Sequence, residues 1–323
     1  MRTVPLISLL ALCGCWSDAE HLNPLDPLSA EFENVGAIDG TVADRGFRPL
    51  EGVVVSLSPG GATATTNAAG QFIFDAVEPG SYTLAASRED LEPEAANVVV
   101  TLATSTTTSL TLNHLPSVSS GTMVTSHISR WWPANDLYRL DIAVDVADAD
   151  GIVDIGGVSL SLPHLSFAVD LQPSAPAGTF SITLSEEEIP GSTVHELSGH
   201  PFYFSVTDQF GSSVTDGPWF ISRIIDYEPE TSSPSGSQEV PGGTPLLTWV
   251  VADVPFSHTY LIEVYRVDAG VETRVLLTDG IDGSSNSVQL SEALATGQYY
   301  WTVSVVDGFG NRSRSREAGF IVP

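Results

Sequence analysis

Closely spaced carboxylates are the first residues whose types suggest chemistry. Asp148-Ala149-Asp150-Gly151 with Asp154 puts three aspartates on a short loop, and such groups can wrap a hard cation such as calcium. The spacing departs from the helix–loop–helix calcium pattern, because no glutamate closes it at the twelfth position. A polar turn after a strand at 141–146 is the reading this spacing favours, and Asp148, Asp150 and Asp154 stand as the metal site to test. His195-Glu196-Leu197-Ser198-Gly199-His200 superficially suggests a zinc protease and fails on spacing. That chemistry needs histidines at i and i+4 on one helix face with the glutamate as base, and Gly199 occupies i+4. No serine sits in a Gly-x-Ser-x-Gly elbow. His114, His127, His164 and His258 have no nearby sequence partner. Trp131-Trp132-Pro133 offers adjacent aromatics that, on a loop, can stack on a sugar ring or anchor a protein interface. In a strand, one of the two would face the core instead. With no nucleophile, base and orienter in one constellation, a non-enzyme is expected.

The elements that must hold these residues are strands. Between about 36 and 113 the apolar residues alternate with period two: Val53, Val55 and Leu57; Phe72 and Phe74; Tyr82, Leu84 and Ala86; Val98, Val100 and Leu102; Leu110 and Leu112. Turns at Pro59-Gly60-Gly61, Asn67-Ala68-Ala69-Gly70 and Glu78-Pro79-Gly80 bound the runs. Their glycines supply the positive φ of tight hairpins. A small antiparallel sandwich is predicted.

The series Gly40-Thr41-Val42, Pro49-Leu50-Glu51-Gly52-Val53-Val54-Val55, Asn67-Ala68-Ala69-Gly70-Gln71-Phe72 and Val77-Glu78-Pro79-Gly80-Ser81-Tyr82-Thr83-Leu84 resembles the carboxypeptidase regulatory-like domain. The resemblance implies a transthyretin-like sandwich with a structural or binding role and no active site. Asn67 stands where that family often has aspartate, and either side chain can bond back to the turn backbone.

Farther on the chain repeats itself. Phe204-Ser205-Val206-Thr207-Asp208-Gln209-Phe210-Gly211 recurs as Val303-Ser304-Val305-Val306-Asp307-Gly308-Phe309-Gly310, with the two aspartates 99 residues apart. That is close to the roughly 100 residues of an immunoglobulin-like sandwich. The last copy resembles fibronectin type III, with Trp249 as a core residue and Leu294-x-x-Gly297-x-Tyr299 spaced for a tyrosine corner. The middle copy reads as immunoglobulin-like from the repeat. The expected order is a signal peptide over 1–14, a lipidated cysteine and tether over 15–35, and sandwiches over 36–115, 116–225 and 226–323. The fold class is all-β, as tandem antiparallel sandwiches.

Charge and the N-terminus set location. Forty acidic residues face 12 basic ones, all arginine, for a net charge of −28. The linear sequence carries no basic stripe, so nucleic-acid binding and charge-driven membrane adsorption lose their usual source of affinity. Arg2 precedes a short apolar run from Val4 to Leu12, the layout of a signal peptide and too short to span a bilayer. It ends in Leu12-Cys13-Gly14-Cys15, which resembles the lipobox of bacterial lipoproteins and implies lipidation of Cys15. Trp16 and Ser17 rather than aspartate follow, which by the same resemblance implies the outer membrane. The expectation is a non-enzymatic, lipid-anchored envelope protein with a structural or protein-interaction role. Its partners would be envelope proteins or polysaccharide, with no cofactor unless calcium binds. A carbohydrate-binding surface protein and a calcium-dependent adhesin are the alternatives.

Overall fold

The computed structural model describes residues 34–323. Cys15 and the expected signal peptide lie outside the described residues. The chain divides into two compact units, one ending at Asn113 and one running His114–Pro323.

Eight strands build the first unit: β1 (Gly36–Asp44), β2 (Val54–Ser58), β3 (Thr63–Thr65), β4 (Gln71–Val77), β5 (Gly80–Ser87), β6 (Leu91–Glu92), β7 (Glu94–Val100) and β8 (Ser105–His114). They form two four-stranded sheets, ordered β4-β1-β8-β6 and β3-β2-β5-β7. The β1–β8 pair is parallel and the other pairs with an assigned register are antiparallel. Alternation turns one side of each strand inward, so Ile38, Val42, Leu57, Phe72, Phe74, Leu84 and Leu112 share one buried core. Leu102 departs from the expected alternation. β7 stops at Val100, the chain turns, and Leu102 is exposed. The Asn67 turn closes as its residue types require: Oδ1 accepts from the amides of Ala69 and Gln71 at 2.9 and 3.0 Å. Gly70 follows at φ +70°, with the Val42 carbonyl oxygen 2.4 Å from where a Cβ would sit, so only glycine fits.

The second unit contains β9 (Ser117–Ile128), β10 (Leu137–Ala147), β11 (Ile155–Leu162), β12 (Phe167–Ser174), β13 (Thr179–Ser185), β14 (Phe202–Asp208), β15 (Ser213–Trp219), β16 (Thr231–Ser233), β17 (Gln238–Glu239), β18 (Leu246–Trp249), β19 (His258–Asp268), β20 (Val271–Asp282), β21 (Ser287–Gln289), β22 (Gly297–Asp307), β23 (Arg312–Arg314) and β24 (Ala318–Val322). It holds two cores. Leu140, Ile142 and Val144 pack with Leu160, Phe204 and Val206 in one, and Trp249, Tyr260, Ile262, Trp301 and Val303 lie together in the other. In the second of these, Tyr299 donates its hydroxyl to the Ala295 carbonyl at 2.7 Å, the corner that its spacing predicts. The Ser/Pro/Gly-rich stretch 229–243 belongs to this sandwich, because β16 pairs β18 and β17 pairs β24.

One sheet runs through both sandwiches, ordered β15-β14-β11-β12-β13-β10-β9-β23-β22-β19-β20. The join is the parallel pairing of β9 with β23, in register Ser126 to Arg312, His127 to Ser313 and Ile128 to Arg314. β23 is also antiparallel to β22, so three residues splice the two sandwiches edge to edge.

Candidate functional site

The two repeated Asp-x-Phe-Gly turns have the same internal geometry. Asp208 Oδ1 accepts from the amides of Phe210 and Ser212 at 2.8 and 2.9 Å. Asp307 Oδ1 accepts from those of Phe309 and Asn311 at 2.9 and 3.0 Å. Glycine at positive φ completes each, Gly211 at +95° and Gly310 at +89°. Their surroundings differ: the first turn abuts the aspartate loop and the second lies in the join between the sandwiches.

At the first turn, the Gln209 amide donates to the Asp154 carbonyl and its side chain to the Val153 carbonyl, at 2.8 and 2.7 Å. The loop itself is wound by its own aspartates. Asp148 Oδ1 accepts from the Asp150 amide and Asp150 Oδ2 from the His114 amide, both at 2.8 Å. Gly151 at φ +117° then turns the chain into a short 3₁₀ segment ending at Asp154. One carboxylate oxygen from each of Asp148, Asp150 and Asp154 lies within 4.8 Å of the others, so the fold brings the three predicted residues together. Asp148 Oδ2 is shielded from solvent and accepts no hydrogen bond. Burial raises the Asp148 pKa, the Asp150 amide opposes that, and the charges of Asp150 and Asp208 raise it further. A divalent cation with oxygen ligands is the species such a cluster suits.

The join is held by a buried polar knot. Asn311 is fully buried. Its Oδ1 accepts from the Thr125 amide at 2.9 Å, while its Nδ2 donates to Ser222 Oγ at 2.8 Å and Asp307 Oδ2 at 3.1 Å. Arg223 pairs with the same Asp307 oxygen at 2.6 Å and stacks on Phe256 with its guanidinium carbon 4.0 Å from the ring centre. Beside this knot, His127 Nδ1 lies 2.8 Å from Ser313 Oγ and Nε2 lies 3.1 Å from Asp136, a serine–histidine–aspartate set drawn from distant positions. Ser313 is fully buried and gives its proton to the Tyr227 carbonyl. Its oxygen must therefore accept from His127 Nδ1–H. A hydroxyl with no path to solvent and its proton already committed tethers strands rather than attacking a substrate.

The two tryptophans separate in role. Both lie on the loop between β9 and β10, so neither enters a strand or the core. Trp131 donates from Nε1 to the Glu317 carbonyl at 2.8 Å, and the Arg316 guanidinium covers its ring at 4.8 Å. It fastens this loop to the segment beyond β23. Trp132 is 84% exposed. His195 and His200 do not converge on a metal. His195 bonds Asp226 at 2.8 Å, and His200 stands 6.4 Å, ring to ring, from His164. In the first unit, Asp39, Thr41, Gln71, Ile73 and Thr107 are among the residues lining an open groove of about 780 Å³. The one aromatic at its wall, Phe72, is buried, so the groove offers no ring for sugar stacking.

Of the described arginines, Arg130, Arg139 and Arg312 form no ion pair, whereas others close on carboxylates, such as Arg314 on Glu317 and Arg274 on Glu263. All three lie around the join, two of them exposed. Their positions span more than 180 residues of sequence, and only strand pairing unites them.

Residues 37–113 match the carboxypeptidase regulatory-like domain family. No curated protein matches the chain. Among solved structures, the FN1–FN3 domains of chicken CNTN1 are similar at 11% identity and TM-score 0.32, over 85% of this chain and 92% of that one. The fibronectin(III)-like modules of Clostridium thermocellum CbhA align at 9% identity and TM-score 0.30, over 64% and 94%. The Bacillus anthracis TIE protein aligns at 9% identity and TM-score 0.28 over 90% of this chain, which spans 49% of that protein. The strands themselves establish the all-β class, and likeness at this level adds no argument about activity.

Proposed function

We propose that this chain is a non-enzymatic, lipid-anchored protein of the cell envelope. Cys15 would carry the anchor, and the second unit would serve as a stiff scaffold that presents binding surfaces. The observation that supports this reading is the splice of β9 onto β23, which makes two sandwiches share one sheet. A flexible linker would let modules swing, whereas strand pairing backed by buried hydrogen bonds resists it. In a bacterial host expressing the full chain, labelled palmitate should enter the wild type and not Cys15→Ser. Absence of label from the wild type would remove the anchor from the account.

The aspartate loop supports a second reading, calcium-dependent adhesion, through the convergence of Asp148, Asp150 and Asp154 within 4.8 Å. Calorimetric titration with calcium should show saturable binding that Asp148→Asn abolishes, with magnesium weaker because it demands a tighter octahedral shell. No heat of binding at millimolar calcium would exclude this reading.

A further inference from the structure

Five strands meet side by side across the join, and register fixes which residues share their outer face. Arg139 on β10 pairs with Ser126 on β9, and Ser126 pairs with Arg312 on β23. Ser185 on β13 extends the row on one side and Val306 on β22 on the other. Directly opposed residues point to the same face, so Arg139 and Arg312 flank Ser126 with their Cα atoms about 10 Å apart, two interstrand spacings. The opposite face of β9 carries His127 and Thr125, both turned into the interior. Arg139 and Arg312 are exposed, and Arg312 is oriented by a 3.0 Å hydrogen bond from Nε to Ser126 Oγ.

Arg130 lies two residues beyond the end of β9, at the start of the loop to β10. Its Nε is bonded to the Asn135 carbonyl at 3.0 Å, which places it beneath the loop that carries the exposed Trp132. Neighbouring charges cancel in pairs, Arg314 with Glu317 and Arg316 with Glu228. Asp141, two residues along β10 from Arg139, keeps its charge and accepts from Thr183 Oγ1 on the neighbouring β13. On a chain of net charge −28, three arginines without an ion pair thus lie around the join, and one of them, Arg130, is bonded to the loop that carries the exposed Trp132.

We propose that this face binds an acidic polysaccharide, a polyuronate whose sugar carboxylates are held by Arg139, Arg312 and Arg130 while a sugar ring lies on Trp132. Guanidinium forks match carboxylates in a bidentate way, and an indole offers an apolar face to the C–H groups of a sugar ring. The spacing of the cations selects a sparse polyanion. Duplex DNA carries one charge per about 1.7 Å and would press many uncompensated phosphates against the acidic surroundings, whereas a polyuronate carries one charge per sugar. The inference is independent of the scaffold and lipid-anchor readings, because it concerns only what this face recognises.

The test is calorimetric titration of the full chain with polygalacturonate at low ionic strength, beside fully methyl-esterified polygalacturonate, polyglutamate and a single-stranded oligonucleotide. Polygalacturonate should bind, and the ester, with the same sugar backbone and no charge, should bind at least tenfold more weakly. The double variant Arg139→Gln/Arg312→Gln should lose about tenfold in affinity, and Trp132→Ala should lose several-fold. Arg139→Gln and Trp132→Ala should leave the urea midpoint unchanged because these side chains face solvent, whereas Arg312→Gln should lower it slightly, since it takes the 3.0 Å donor from the buried Ser126 hydroxyl. Added salt should weaken binding. No binding of polygalacturonate, equal binding of the ester, equal or tighter binding of polyglutamate or the oligonucleotide, or an unaltered double variant would each overturn the proposal.

Discussion

Asn311→Ala tests whether the join between the sandwiches is a structural element or only a contact. The amide side chain is fully buried and makes four hydrogen bonds that bridge β9, the segment before β16 and the turn after β22. Truncation leaves the Thr125 amide, buried within β9, without its acceptor, and removes one donor from Asp307. A buried polar group stripped of its partner costs about 1–3 kcal/mol, and the small cavity adds to this. Asp307 keeps Arg223 and the two turn amides, so its loss is the smaller part. The expected sum is about 3 kcal/mol. In urea denaturation of the second unit within the full chain, wild type should unfold both sandwiches in one transition. The variant should show a lowered midpoint and a separation of the two, because the term that couples them has gone. A loss below about 0.5 kcal/mol with a single unchanged transition would refute the reasoning, since it would mean that the knot is solvated or redundant.

Three other substitutions probe separate parts of the account. Asp148→Asn should stabilise the calcium-free protein slightly, by less than about 1 kcal/mol after solvent screening. Burial and the charges of Asp150 and Asp208 raise the Asp148 pKa, so the folded state takes up a proton more readily than the unfolded chain. The associated stability is therefore gained as pH falls through the raised value and is missing at neutral pH, and the variant should lose that pH dependence in thermal melts. Tyr299→Phe should cost about 1 kcal/mol in urea unfolding by removing the 2.7 Å bond to Ala295. Gly70→Ala should destabilise the first unit by more than about 1 kcal/mol, because φ is +70° and a Cβ would meet the Val42 carbonyl. A melting temperature equal to wild type would contradict that geometry.

Local chemistry was legible in the sequence where it is local in space. Alternation found the buried faces of β2, β4 and β8, the Asn67 turn closes on its own side chain, and the two Asp-x-Phe-Gly turns repeat bond for bond. Leu102 shows the limit of the pattern, since period two continues past the point where the ladder stops. The aspartate loop was also readable, because three carboxylates within seven residues have little room to diverge. What could not be read joins positions separated by 186 residues, such as Thr125 with Asn311, His127 with Ser313 and Trp131 with Glu317. The constant separation reflects one register of β9 against β23, and a three-residue parallel strand leaves no periodic signal. For the same reason the arginines looked scattered until pairing aligned them, and Trp131 looked like a free partner of Trp132.

The claim that the two sandwiches act as one stiff element can be measured directly. Spin labels at Ala168→Cys on β12 and Thr273→Cys on β20 are both exposed and lie on opposite sides of the join. Pulsed electron double resonance should give a single narrow distance distribution in the wild-type background, broadened by Asn311→Ala. A broad or two-peaked distribution in the wild-type background would mean that the modules swing about the join, and the scaffold reading would fail.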